Sequence, residues 1–207
     1  MQNVPHPEQV YHKSLPDEIV LGFYQQSPSP EGSFHSDVNE HLSGSHFIRK
    51  LAEGSLSVHS LQLVTQKNEK PRAFSGLNEY SVSFSHTRRS IAGAISASFN
   101  VGCDLESAER KVSESLVKRM MSPDEKEGLY RENPPVRIWT CKEAALKMTG
   151  TGLRKPMAGV TLNQENGELF TAEIGNAFQA KICSFQYHGY WIAVCFIKEF
   201  KKSTSVK

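Results

Sequence analysis

Asp104 and Glu106 stand two residues apart in Val101-Gly102-Cys103-Asp104-Leu105-Glu106. Glu143 and Lys147 stand four apart in Trp139-Thr140-Cys141-Lys142-Glu143-Ala144-Ala145-Leu146-Lys147. On a strand, a period of two puts Asp104 and Glu106 on one face with Gly102, and turns Val101, Cys103 and Leu105 the other way. Two carboxylates so placed repel each other unless a cation or water comes between them. A small set of oxygen ligands suits Mg²⁺, which keeps waters and takes further ligands from phosphate. Gly102 would let a ligand approach the strand closely. On a helix, Trp139, Glu143 and Lys147 share one face, with the Glu-before-Lys order that favours an ion pair. Taken alone, that pair is a surface salt bridge worth about 0.3–0.5 kcal/mol, and the two strand acids are a solvated strand end. Taken together, the groups describe a site for a metal and a diphosphate. Ser85-His86-Thr87-Arg88-Arg89 adds hydroxyls, an imidazole and two guanidinium groups in a turn suited to phosphate. Lys70, ahead of Pro71, adds a cation. No Ser-His-Asp arrangement, reactive cysteine motif or Walker loop accompanies them. The nucleophile therefore has to arrive with a second substrate.

These residues need strands and one helix to position them. Residues 139–147 contain neither Gly nor Pro, and Gly150 and Gly152 follow where a helix would stop. Asn133-Pro134-Pro135 breaks the chain ahead of it. Strands are expected at 18–24, 57–64, 80–85, 90–99, 101–106, 159–162, 169–174, 177–185 and 190–197. A short helix is expected over 46–56, and two helical pieces over 107–136. Ser122-Pro123-Asp124-Glu125 has the capping signature of a helix start. Residues 27–45 read as a Ser-, Pro-, Gly- and His-rich loop, and 65–78 as a polar connection. His35, His41 and His46 fit no standard ligand spacing. The class is α+β. Each half runs through a helix and then antiparallel strands, with no strong internal repeat in the residues themselves.

The chain has 207 residues, enough for one large domain or two small ones. Its net charge of +2 gives no bulk attraction to nucleic acid or membrane. The four cysteines, 103, 141, 183 and 195, form no C-x-x-C pair and read as buried free thiols, which favours a reducing compartment. Residues 1–13 lack the apolar core of a signal peptide, and no apolar run is long enough to span a membrane. A cytoplasmic protein is expected.

The motifs resemble the paired signature of the 4′-phosphopantetheinyl transferase superfamily. The resemblance rests on 101–106 and 139–147, on Ser83-Phe84-Ser85-His86, on Glu69-Lys70-Pro71, on Gly150-Thr151-Gly152-Leu153 and on Gly189-Tyr190-Trp191-Ile192-Ala193-Val194-Cys195, in the family's order over residues 69–197. Length and the upstream motifs resemble its longer, pseudo-dimeric branch. The resemblance implies two similar subdomains, each a small antiparallel sheet packed with helices, at 1–97 (nucleotide-side contacts) and 98–200 (metal and catalytic residues), with a basic tail at 201–207.

It further implies transfer of the 4′-phosphopantetheine arm of CoA to a serine of an apo acyl or peptidyl carrier protein, with release of adenosine 3′,5′-bisphosphate. Asp104 and Glu106 would hold Mg²⁺, with Mn²⁺ as the alternative ion. Glu143 would be a third ligand or the base, and Lys147 would bind the diphosphate. Asp104, Ser85, His86 and Lys70 would contact CoA. A monomer is the expectation, since both halves lie in one chain. The cations Lys111, Lys118, Arg119, Lys126 and Arg131 suit an acidic carrier helix. The sequence departs from the pattern at Glu69, where the family has Gly, and in the N-terminal third, where Arg49 is the guess for a nucleotide contact. The competing readings are a non-catalytic relative that binds CoA or carrier, and a Mg²⁺-dependent diphosphate hydrolase.

Overall fold

Alternating apolar runs do become strands, and they pair into two antiparallel sheets. A computed structural model describes residues 7–26, 40–66, 69–126, 128–175 and 178–198. The first sheet is built from β1 (Glu8–Val10), β2 (Ile19–Gln25), β3 (Gln62–Val64), β4 (Arg72–Ser75), β5 (Asn78–His86) and β6 (Ser90–Ser96), with α1 (Glu40–Leu56) between β2 and β3. Its order is β1-β2-β6-β5-β4-β3. The second sheet is built from β7 (Phe99–Ser107), β8 (Val160–Gln164), β9 (Leu169–Ile174), β10 (Phe178–Tyr187) and β11 (Tyr190–Lys198). Its order is β7-β11-β10-β9-β8. Three helices precede β8: α2 (Glu114–Met120), the short α3 (Leu129–Glu132) and α4 (Pro135–Met148).

Leaving β1 aside, the two sheets have one topology. An opening strand leads to a helix, then to a four-strand meander whose last strand returns to pair with the opener. The α+β pseudo-dimer is therefore present as a repeat of pairing, although the residues themselves do not repeat.

Three apolar clusters set the layers. Phe47, Ile48 and Leu51 of α1 pack on Val82 and Ile95 of the first sheet. Leu21, Phe23, Ala92 and Ala94 meet Val101, Cys103, Leu105 and Val194 between the sheets. Ile138, Cys141, Ala145 and Met148 of α4 pack on Leu162, Phe170 and Ile182 of the second sheet. The order is helix, sheet, sheet, helix. All four cysteines are buried free thiols.

The sheets are joined by a seam of serines. The β7 strand pairs only with β11, so its other edge would leave buried N–H groups without partners. Val101 N–H donates to Ser81 Oγ (3.0 Å) and Cys103 N–H to Ser83 Oγ (2.9 Å). The alternating serines of β5 thus stand in for a missing strand.

Several local expectations change. The segment 40–45 is the start of α1, where a loop was expected. The strand expected over 57–64 shrinks to β3, and 65–78 contains β4. Ser122–Glu125 closes as a capping box would, with Ser122 N–H donating to Glu125 Oε2 (2.9 Å), but no helix follows directly. The other oxygen of Glu125 is drawn instead to Lys142 of α4, 2.7 Å away. The expected tail at 201–207 lies outside the described residues.

Candidate active site

Pro135 opens α4 at its first position, where a missing N–H costs nothing, and strong helix formers carry it to Met148. Gly150, with φ of 73°, takes the left-handed turn that ends it. Gly102 decides where α4 lies. A Cβ there would sit 2.0 Å from the Ala144 carbonyl oxygen and 2.4 Å from Met148 N. The space expected to admit a ligand is therefore filled by the helix backbone. That close approach sets the Glu143–Lys147 face of α4 against the Asp104–Glu106 face of β7.

Asp104 is only 3% exposed. Its Oδ1 accepts from Ser85 Oγ (2.8 Å) and from Lys147 Nζ (2.6 Å), while its buried Oδ2 has no partner. Glu143, 7% exposed, keeps a buried Oε1 without a partner. Burial pushes the Glu143 carboxyl up to about 7, with the negative charge of Asp104 adding to the shift and Lys147 opposing it. For Lys147, burial works against the ammonium, but Asp104 outweighs it and holds the pKa above the ordinary lysine value. The expected Glu143–Lys147 surface pair is thus replaced by a Lys147–Asp104 pair.

Glu106 is partly buried and pairs with Arg110. Burial and then Asp104 raise its pKa, against the pull of Arg110. The Arg110 guanidinium lies over the Trp139 ring, 4.6 Å from its centre. Trp139, Glu143 and Lys147 do share one face of α4, as the spacing predicts. Arg110 was missed in the sequence, and its only signal there is a cation four residues after Glu106.

The remaining expected residues divide. Ser85 reaches the acids by bonding to Asp104. His86 ends β5 exposed to solvent. Lys70 lies elsewhere: its Nζ donates to Ser81 Oγ (2.8 Å) and to Asn100 Oδ1, in a cleft that Pro71, Tyr80 and Phe99 help to line. Asn100 is four residues before Asp104 on the same strand face, roughly 13 Å along β7. Lys142, beside Glu143 in the motif, points away from the acids. It is fully buried against Glu125, and donates to the carbonyls of Met120 (2.7 Å), Val160 (2.7 Å) and Met157 (3.4 Å). Burial lowers its pKa, with Glu125 pulling the other way.

Among the described residues no three His, Cys, Asp or Glu side chains gather closely enough to hold a metal. The unpartnered oxygens of Asp104 and Glu143 nonetheless fit a cation, since a buried carboxylate oxygen without a donor is costly. Glu106 suits the same ion by chemistry, but is held by Arg110.

A family model described as the 4′-phosphopantetheinyl transferase superfamily matches residues 100–195. The match runs through β7, α4 and the strands up to β11, just under half of the chain, so this part of the chain is similar to that superfamily, a class of transferases that is generally dependent on a divalent metal. No curated protein matches the chain. No helix among the described residues is long and apolar enough to cross a membrane.

Proposed function

We propose that this chain transfers the 4′-phosphopantetheine arm of CoA to a serine of an apo acyl or peptidyl carrier protein, as a member of the longer, pseudo-dimeric branch. One observation carries the reading. Two carboxylate oxygens, from β7 and from α4, are buried without partners beside the Lys147 ammonium.

Asp104 and Glu143, with Glu106, would hold Mg²⁺ or Mn²⁺, which when bound supplies Lewis-acid polarisation of the CoA diphosphate. Glu143, whose carboxyl stands near neutrality in the metal-free protein, would be the third ligand or the base that takes the proton of the attacking serine. The serine oxygen bonds to the β-phosphorus, the bond from that phosphorus to the bridging oxygen breaks, and adenosine 3′,5′-bisphosphate leaves. Lys147 offsets the negative charge that grows on the diphosphate. Ser85 holds Asp104 in place through its hydroxyl. His86 and Lys70 face the nucleotide end of CoA. The division into subdomains 1–97 and 98–200 gives each one sheet, with CoA between them. The exposed cations Lys111, Lys118 and Arg119 on and before α2 suit an acidic carrier helix. Buried free thiols favour the cytoplasm, and a repeat within one chain favours a monomer.

The test mixes the protein, Mg²⁺, CoA and an apo carrier, and weighs the carrier. A gain of one phosphopantetheine arm is expected. Bisphosphate released without carrier would make the protein a hydrolase, and CoA binding with no product would make it a binder.

A further inference from the structure

The acids of the site differ in what neutralises them. Asp104 has Lys147, Glu143 has no partner for one oxygen, and Glu106 has Arg110. Arg110 is fixed from three sides. Its own N–H donates to the Ser107 carbonyl (3.0 Å) in the turn after β7. Its guanidinium pairs with Glu106 and lies over Trp139, which is one helical turn before Glu143 on α4. A guanidinium that is paired and stacked loses little freedom on staying there.

Charge decides what happens when a divalent cation enters. Fully ionised, Asp104, Glu106 and Glu143 bring three negative charges, and Lys147 and Arg110 return two. A divalent ion added on top would leave the site positive before any anion arrives. An ion that takes the place of Arg110 leaves it neutral and frees Glu106 as a ligand.

We propose that Arg110 is the resident counter-ion of Glu106 in the metal-free protein, exchanged for the divalent cation on loading. Arg110 is then a positioning residue that sets how tightly the metal binds. This rests on the metal assignment of the proposed function, but its test needs neither CoA nor carrier, so the two can fail separately.

The experiment titrates Mn²⁺ into the full chain without CoA and follows free Mn²⁺ by electron paramagnetic resonance. Arg110→Met should bind Mn²⁺ roughly five- to tenfold more tightly than the original chain, since breaking one ion pair and one cation–π contact costs about that factor. Arg110→Lys should fall between the two. Metal should also change the Trp emission of the original chain as the guanidinium leaves the indole, and this change should vanish in Trp139→Phe. Binding by Arg110→Met where the original chain binds no Mn²⁺ would support the exchange. Equal or weaker binding by a folded Arg110→Met, or no binding by either, would overturn it. The carrier assay on the same preparations reports separately on the transferase.

Discussion

The helices α1 and α4 occupy equivalent places, each on the outer face of its sheet beneath one strand–helix–meander repeat. Both lie over glycines: Gly22 and Gly93 under α1, Gly102 under α4. Their buried faces differ in kind. The α1 helix buries Phe47, Ile48, Leu51 and Ala52, and leaves Lys50 and Glu53 as a half-exposed pair. The α4 helix buries Arg137, Lys142 and Glu143 among its apolar residues. Two of these charges are satisfied by the protein. Arg137 donates to Asn133, Gly167 and Ser184, and lies over Phe170 and Trp191. Lys142 has Glu125 and three carbonyls. Glu143 is the one left short. A buried charge with its partners in place supports the fold, and one without them points to something the protein has yet to bind.

The sharpest break of this comparison removes the incomplete groups. Asp104→Ala and Glu143→Ala should each lower carrier modification by about 10³-fold or more while melting as folded proteins. Lys147→Ala should lose about 10²-fold, more than an exposed ion pair could explain. Full turnover in any of them would move the chemistry elsewhere.

Next come the satisfied charges. Lys142→Met should cost about 3–5 kcal/mol in a urea melt, because it strands Glu125. Adding Glu125→Gln should restore much of that loss. Lys50→Ala on α1 should stay within about 0.5 kcal/mol. A mild Lys142→Met would mean that Glu125 finds water.

The glycines give a smaller contrast. Gly102→Ala drives a Cβ into the α4 backbone and should cost about 3 kcal/mol. Gly93→Ala meets the end of the flexible Ile48 side chain at 2.8 Å and should cost about 1 kcal/mol. Equal losses would show that α4 can ride outward.

The most gradual effect is on pH. In metal-free protein Glu143 has a carboxyl near 7, above the roughly 4.3 of an unfolded glutamate. The folded state holds the extra proton between those values. Its contribution to stability is therefore complete below about 4.3 and is lost as pH rises through about 7. The difference in melting temperature between the chelated original protein and Glu143→Gln should grow across that window, against the original protein, by a few degrees. A flat difference would mean that Glu143 is not the titrating group.

Much of the acidic site was legible because its spacing matches the period of its elements. Two residues apart on β7 and four apart on α4 each fix a face, and a face can be read without knowing the fold. The alternating serines 81, 83 and 85 were legible as a strand, but not as a substitute for a neighbouring one. The β1 strand and β4 were missed because three or four residues carry too little alternation. Lys142 and Glu125 were missed as a pair because burial reverses what charge ordinarily signals, and no local pattern announces burial. The doubled topology was half seen. It resides in which strands pair, and pairing partners lie up to 99 residues apart, as with Phe99 and Lys198, where spacing rules do not reach. Gly102 was read correctly as a close approach, but for the wrong visitor.

The serine seam bears on any attempt to divide the molecule. A fragment beginning at Phe99 would keep the acids and α4 but lose the hydroxyls of Ser81 and Ser83, leaving a naked β7 border with unmet donors. Such a border recruits whatever backbone it meets, so the severed piece should clump with its own kind before it could act alone.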